Sequence, residues 1–316
     1  MIELFARSPG MREAVGLAER VSSTDANVLI TGESGAGKDL LAAFIHSRSR
    51  RSLQPLAKID CATLPAELLE AELFGYERGA FTGAVEAKAG RFEAADKGTV
   101  VLDEIAHLST DAQAKLLRVI ERREFERLGG RKTIKLDARV IALTNVDLDT
   151  AVKSGRFRED LFYRLNVLNI RVPPLRERKD DLSQLIEHFL KHYSAKHGRN
   201  VQRVSPPARA VLKAYDYPGN VRELANIIER AVIVATGKKI EEEDLPVGLS
   251  AAVSAQQRKA RPQSLAQVEA AYISQTLAET GGNKAECARI LGISRKNLYE
   301  KIARYQLSTD YRDGAA

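Results

Sequence analysis

The sequence contains no run of about 18 or more apolar residues, the length a membrane-crossing helix requires. Its first residues, MIELFARSPGM, lack the long apolar core of a secretory signal. Neither a span nor a leader is expected, and a cytoplasmic location follows as the expectation. Cysteine is scarce. Cys61 and Cys287 stand far apart, without metal-ligand spacing. A disulfide framework and a cysteine metal site are thereby excluded, and two buried reduced thiols are expected. The five histidines are scattered. His188 and His192 share a helical spacing, but they lack carboxylate or cysteine companions and read as a surface pair. No internal repeat is present.

What is present is ordinary globular composition with a basic bias. Hydrophobic residues make up 44% of 316, enough for two or three domains, and the formal charge is +7. Residues 251–316 carry ten Lys/Arg against six Asp/Glu, a net +4. A small basic terminal module points to nucleic acid.

Short apolar runs alternate with helical patterns over the first half of the chain. Strands are predicted at Asn27–Thr31, Leu56–Asp60, Thr99–Leu102, Ala138–Thr144 and Val167–Arg171, with helices between them such as Asp39–Ser47 and Asp111–Arg122. This alternation predicts an α/β fold, a parallel sheet covered by helices on both faces. From Asp180 to Thr236 the pattern is helical, with Leu182, Leu185, Ile186 and Phe189 on one face. Residues 248–263, GLSAAVSAQQRKARPQ, have no apolar period and read as a linker. Helical periods return at Leu265–Ala278 and Lys284–Tyr305.

Two motifs carry phosphate chemistry. The strand Val28–Thr31 runs into Gly32, Glu33, Ser34, Gly35, Ala36, Gly37, Lys38 and Asp39, then into an apolar helix. Glycines let backbone N–H groups turn toward an anion, the helix N-terminus adds partial positive charge, and Lys38 can reach the β- and γ-phosphates. Ser or Thr commonly follows that lysine to hold magnesium. With Asp39 there, either the metal is held differently or the carboxylate acts through water. The strand Val100–Leu102 ends in Asp103 and Glu104, at the sheet edge where phosphates sit. Asp103 is expected to bind Mg²⁺ through water and Glu104 to polarise the attacking water. Asn145 ends another strand and could orient water near the γ-phosphate. Arg158 and Arg164 stand beside aromatics, where a guanidinium can stabilise charge on a transferring phosphoryl group. Arg222 opens a helix after Tyr217-Pro218-Gly219-Asn220 and could project to the nucleotide.

Together these motifs resemble the AAA+ ATPases that activate sigma-54 RNA polymerase, the NtrC-type enhancer-binding proteins. The resemblance rests on GESGAGKD at 32–39, ELFGYERGAFTGA at 72–84, GRFEAADKGTVVLDEI at 90–105 and LLRVIERREFERLGG at 116–130. FREDLFYRLNV at 157–167, VPPLRERKDD at 172–181 and YPGNVREL at 217–224 extend it. It implies that Asp103 and Glu104 are the Walker B pair, Asn145 the first sensor, Arg222 the second sensor, and Arg158 and Arg164 fingers acting on a neighbour's ATP in a hexameric ring. It also implies an AAA+ α/β subdomain over 1–172 and a helical lid over 173–247. Four positions depart from the family's usual residues: Ala36 for Thr, Asp39 for Glu, Asp60 for Asn and Tyr217 for Trp. The residue at 60 is thought to restrain the catalytic glutamate. An ionised carboxylate cannot donate that hydrogen bond, so altered coupling is expected.

The hexapeptide Gly79, Ala80, Phe81, Thr82, Gly83, Ala84 belongs to neither nucleotide motif. Its glycines permit a tip that changes conformation, and the resemblance makes it the loop that touches sigma-54. The C-terminal segment 264–308, before a tail at 309–316, reads as helix, glycine turn, helix, with Ser294 as an N-cap and Ala288, Ile290, Leu291, Ile293, Leu298 and Ile302 as core. It resembles the Fis-type helix-turn-helix. Lys284, Ser294, Arg295, Lys296, Asn297, Tyr299 and Lys301 are the candidate DNA contacts, at a two-fold inverted-repeat site. The expected function is an ATP-driven activator that binds enhancer-like DNA, assembles from dimer to hexamer and remodels the sigma-54 closed complex. The alternative is a DNA-binding regulator, such as a repressor, that uses nucleotide to control assembly. Control by a separate regulatory protein is a further expectation.

Overall fold

The computed structural model describes residues 4–249, 251 and 264–307. The expected linker falls largely at 252–263 and the expected tail at 309–316, outside the described residues. The chain divides into two compact units, 1–250 and 251–316.

In the first unit, α1 (Pro9–Ser22), β1 (Val28–Thr31), α2 (Lys38–Ser47) and β2 (Leu56–Asp60) are followed by α3 (Ala66–Phe74). A hairpin of β3 (Gly75–Tyr76) and β4 (Lys88–Ala89) precedes α4 (Arg91–Ala94), β5 (Thr99–Asp103) and α5 (Thr110–Arg122). A second hairpin, β6 (Glu124–Glu126) and β7 (Thr133–Lys135), leads to β8 (Arg139–Thr144), α6 (Leu148–Lys153), α7 (Glu159–Leu165) and β9 (Leu168–Arg171). The central sheet has strand order β2-β5-β8-β1-β9, and every pairing is parallel.

Residue alternation explains why this sheet is covered on both faces. Val28, Ile30, Val101, Ile141, Leu143 and Ile170 pack against Met11, Ala14 and Ala18 of α1 and Leu41 and Ile45 of α2. The intervening Leu29, Val100, Leu102, Val140 and Ala142 pack against Leu69, Leu73, Leu116, Leu161 and Leu165 on the other side. Since all strands point one way, their C-terminal ends share one edge. That edge carries Asp60 beside Asp103 and Thr31 beside Thr144.

A helical subdomain follows: α8 (Lys179–Lys196), α9 (Pro206–Ala214) and α10 (Asn220–Val234), with β10 (Arg203–Val204) paired to β11 (Lys239–Ile240). Its core joins Leu182, Leu185 and Ile186 of α8 to Leu224, Ile228 and Val232 of α10. Phe189 is partly buried against it, as the helical period predicted. Tyr217, standing where Trp is usual in the resembled family, is fully buried and donates its hydroxyl to Leu212 O at 2.6 Å. The buried Asp181 of α8 accepts from Ser8 N–H and Ser8 Oγ–H, both at 2.9 Å, and so fixes the segment before α1 to the lid.

The second unit contains α11 (Leu265–Glu279), α12 (Lys284–Ile290) and α13 (Arg295–Arg304). Ile273, Leu277, Cys287, Ala288, Leu298 and Ile302 form its core. Leu291 and Ile293 pack partly against it. Ile290, expected in this core, is instead 49% exposed, because α12 ends there and the chain turns before α13. Cys61 and Cys287 are buried free thiols, as expected. Burial pushes the Cys61 thiol up to about 12, helped by nearby Asp60, Asp103 and Glu104.

Candidate functional site: a phosphate loop under a helical lid

The loop between β1 and α2 is shaped by close contact. Gly35 has φ +72, and a Cβ there would lie 2.5 Å from Gly219 O of the lid. Only glycine accepts both the left-handed conformation and that approach. Gly37, also left-handed, opens α2 and directs the helix N-terminus at the loop. Ala36 is buried. Lys38, 6% exposed, lies at this helix start and donates to Gly32 O at 2.9 Å and Glu33 O at 3.3 Å. Its Nζ is 3.9 Å from Glu104 Oε1.

Glu104 follows β5 in a left-handed conformation, φ 52 and ψ 48. A non-glycine residue there is strained by about 1 kcal/mol or more. Its carboxylate accepts the Asn145 N–H at 3.3 Å. Asn145 thus meets the glutamate through its backbone, while the amide expected to orient water is not the group engaged. Asp60, where the resembled family has an amide that restrains this glutamate, was expected to alter that coupling; its Oδ1 accepts the N–H of Ala62 at 2.9 Å. A carboxylate has no proton to donate to another carboxylate, so it caps its own turn.

Lys58 was not among the expected site residues. Its ammonium lies between Asp39 Oδ1 at 2.6 Å and Asp103 Oδ2 at 3.0 Å. These two carboxylates and burial compete over the ammonium, and the net effect raises its pKa. Asp39 and Asp103 therefore face one cation, the Lys58 ammonium, between them. This donor set of carboxylate oxygens suits Mg²⁺. A lysine between apolar neighbours in the strand LAKID was the available signal.

The lid closes the other side. A cavity of about 280 Å³ is lined by Ser34, Gly35 and Gly37 from the loop, Lys38, Asp39 and Leu40 at the start of α2, Asp103 and Glu104 at the end of β5, and Phe189, Val221, Arg222 and Ala225 from the lid. Arg222 donates to Ser34 Oγ at 3.1 Å, and Val221 N–H donates to Gly35 O at 3.0 Å. Glu33 receives both Nη groups of Arg176, at 2.9 and 2.5 Å, and Nδ2 of Asn220 at 3.0 Å. The Arg176 guanidinium first, and then the Asn220 amide, hold the Glu33 carboxyl down at about 2. Arg178, buried in the same seam, donates to Ala36 O. Glu33, Arg176, Asn220 and Arg178 thus latch loop to lid. Their sequence signals were the acid in GESGAGKD and the charges and amide beside Pro-rich turns.

Arg158 and Arg164 do not line this cavity. Arg158 chelates Asp160 at 3.1 and 2.8 Å, and Arg164 Nε lies 2.9 Å from Glu121; both are exposed. They sit on the unit's surface, at and on α7.

The hexapeptide at 79–84 caps the β3–β4 hairpin. Gly79 and Gly83 have φ 82 and 106, and Gly79 N–H donates to Ala84 O at 2.8 Å. Phe81 stacks edge-to-face on Tyr76 with centroids 5.0 Å apart, leaving it 39% exposed. Thr82 and Gly83 are exposed. Ala84 was expected among the contact residues but is 5% exposed, because it closes the turn from beneath.

In the second unit Ser294 caps α13 by accepting Asn297 N–H at 3.2 Å, and Asn283 caps α12. Arg295, Lys296, Asn297 and Tyr299 are exposed along α13. Lys284 lies over the Tyr299 ring at 5.3 Å. Lys301, also expected on the DNA face, is committed elsewhere: its Nζ is 2.6 Å from Glu269 Oε1 of α11. His188 and His192 stack in parallel, centroids 6.4 Å apart, and no metal-binding cluster occurs among the described residues. No helix among them is long and apolar enough to cross a membrane.

Comparison with known proteins agrees with this layout. Residues 4–171 match the sigma-54 interaction domain, 176–262 the AAA+ ATPase lid domain, and 264–305 the Fis family of bacterial regulatory proteins. Regulatory protein AtoC of Escherichia coli (strain K12) is 46% identical over 310 residues, 96% of this chain and 67% of that protein. Transcriptional regulatory protein FlbD of Caulobacter vibrioides is 45% identical over 318 residues, covering 96% and 70%. The crystal structure of NtrX from Brucella abortus in complex with ADP superposes with a TM-score of 0.74 at 34% identity, covering 96% of this chain and 70% of that one. A phosphate loop, a carboxylate pair, a lid arginine and a separate capped helix-turn-helix thus occur together in one chain, and the chain belongs to the sigma-54-dependent activator family.

Proposed function

We propose that the cavity between loop and lid is the ATP hydrolysis site of this sigma-54-dependent activator, and that its output is delivered by the loop at 79–84. The observation that carries this reading is the convergence of Lys38, Asp103, Glu104 and Arg222 on one cavity from three separate segments. NtrX from Brucella abortus, a structural relative, has been crystallised with ADP and with ATP. Backbone N–H groups of Gly32–Gly37 would cradle the phosphates, with Lys38 exchanging its contacts on Gly32 O and Glu33 O for phosphate oxygens. Glu104, 3.9 Å from Lys38 and held by Asn145 N–H, is placed to orient a water for attack. Asp103 and Asp39 would hold Mg²⁺ in place of the Lys58 ammonium, and the metal when bound neutralises phosphate charge. Arg222, already on Ser34, would carry the nucleotide state into the lid.

Arg158 and Arg164 lie outside their own cavity and are exposed, which supports action on a neighbour's nucleotide in a ring. The exposed Arg295, Lys296, Asn297 and Tyr299 support major-groove binding by α13, and a two-fold pair of such units fits an inverted-repeat site.

The assignment is tested by separating binding from turnover. Lys38→Ala is expected to abolish ATP binding, and Glu104→Ala to keep binding while losing hydrolysis. Full ATPase in Lys38→Ala would remove the loop from the mechanism.

A further inference from the structure

Gln113 of α5 is 1% exposed, flanked in the core by Ala112 and Leu116. Its carboxamide is wholly engaged with backbone. Nε2 donates to Leu108 O at 2.9 Å and to Arg156 O at 3.1 Å, and Oε1 accepts Arg158 N–H at 2.8 Å. These partners belong to two different segments. Leu108 ends the single turn Ile105–His107 that starts directly after Glu104, and that turn is closed by His107 N–H donating to Glu104 O at 3.0 Å. Arg158 is the N-cap residue of α7, preceded by the buried Phe157. The Arg158 backbone is therefore held by a buried amide, while its guanidinium reaches into solvent.

The residue type is demanding. A glutamine supplies two donors and an acceptor at one site. Leucine of similar size would leave two carbonyls and one N–H, buried or part-buried, without this partner, and glutamate would lose both donors.

We infer that Gln113 is a positioning residue for the arginine that acts in trans. It ties the turn carrying Arg158 to the segment leaving Glu104. One subunit's own nucleotide-facing glutamate and the guanidinium it offers to its neighbour then shift as one body, which links consecutive sites around a ring. This inference rests on the proposed role of Arg158 between subunits.

Mixed assemblies of the full chain test it. Gln113→Leu is expected to lower hydrolysis about 10²-fold, the scale for a catalytic group misplaced by about 1 Å, with unchanged affinity for a fluorescent ATP analogue. Mixed with Glu104→Ala subunits, which keep intact arginines, Gln113→Leu subunits should regain hydrolysis. Mixed with Arg158→Ala subunits, they should not, since every arginine is then defective. Recovery with Arg158→Ala and none with Glu104→Ala would place the defect in the subunit's own site and overturn the inference. Recovery with neither overturns it as well. The analogue-binding measurement verifies folding. Gln113→Glu, which keeps length and the acceptor for Arg158 N–H, is run in parallel and decides the outcome if Gln113→Leu fails to bind. Arg158→Ala mixed with Glu104→Ala is the control. Absence of recovery there removes the trans-acting arginine itself, and the inference with it, whereas recovery in the control alone isolates the failure to Gln113.

Discussion

Glu33 shows how a single side chain joins two subdomains. Its carboxylate accepts from Arg176 and Asn220 of the lid side while its own backbone belongs to the phosphate loop. These partners lower its pKa from 4.5 to about 2. The group binds its proton more weakly folded than unfolded, so its contribution is whole above about pH 4.5 and is lost as pH falls through about 2. The pair is partly exposed, which limits its worth to about 1 kcal/mol. Urea unfolding of wild type against Glu33→Gln should therefore show a constant stability gap near neutrality that closes in acid. A gap that widens as pH falls would contradict the latch. Residues such as Lys38, Asp103 and Glu104 were legible in the sequence because phosphate chemistry imposes their types and order. Lys58, Asn220 and Gln113 were not, because each acts by meeting a segment distant in sequence, and a local charge or amide does not show which segment it meets.

Elements were the most legible level. All five expected strands occur within a residue or so of their expected bounds, because a parallel sheet buried on both faces demands continuous apolar runs. The two small hairpins were not foreseen. Their strands have only two or three residues each, too short for an alternating period to register. The helix α13 was placed correctly by its Ser294 cap, but its exposed face had to await the packing of α11. Lys301 is drawn onto Glu269, whose carboxyl is held below its usual range by that ammonium and then by the Tyr305 hydroxyl. Two lysine-or-arginine positions on one helix thus separate by role. Arg295→Ala should weaken DNA binding and reduce the slope of log affinity against log salt by about 1. Lys301→Ala should leave that slope unchanged and lower the thermal stability of the second unit. Equal slope changes in both variants, measured by fluorescence anisotropy over a salt series, would return Lys301 to the DNA face.

At the scale of the whole molecule, the nucleotide cavity and the proposed sigma-54 contact occupy different parts of one sheet domain. The cavity lies at the C-terminal sheet edge under the lid, whereas the loop at 79–84 stands on its own hairpin. Phe81 is parked on Tyr76, and Gly79 and Gly83 hold left-handed φ at a tip where an added Cβ would meet nothing within 4 Å. None of Gly79 to Ala84 lines the nucleotide cavity. In the proposed reading this loop is the tool and the cavity the engine. Thr82→Ala, exposed at the tip, tests it most directly when ATP hydrolysis and sigma-54 engagement are measured on the same preparation. The expected result is hydrolysis close to wild type with sigma-54 binding and open-complex formation lost. Collapsed hydrolysis with sigma-54 engagement intact would contradict it.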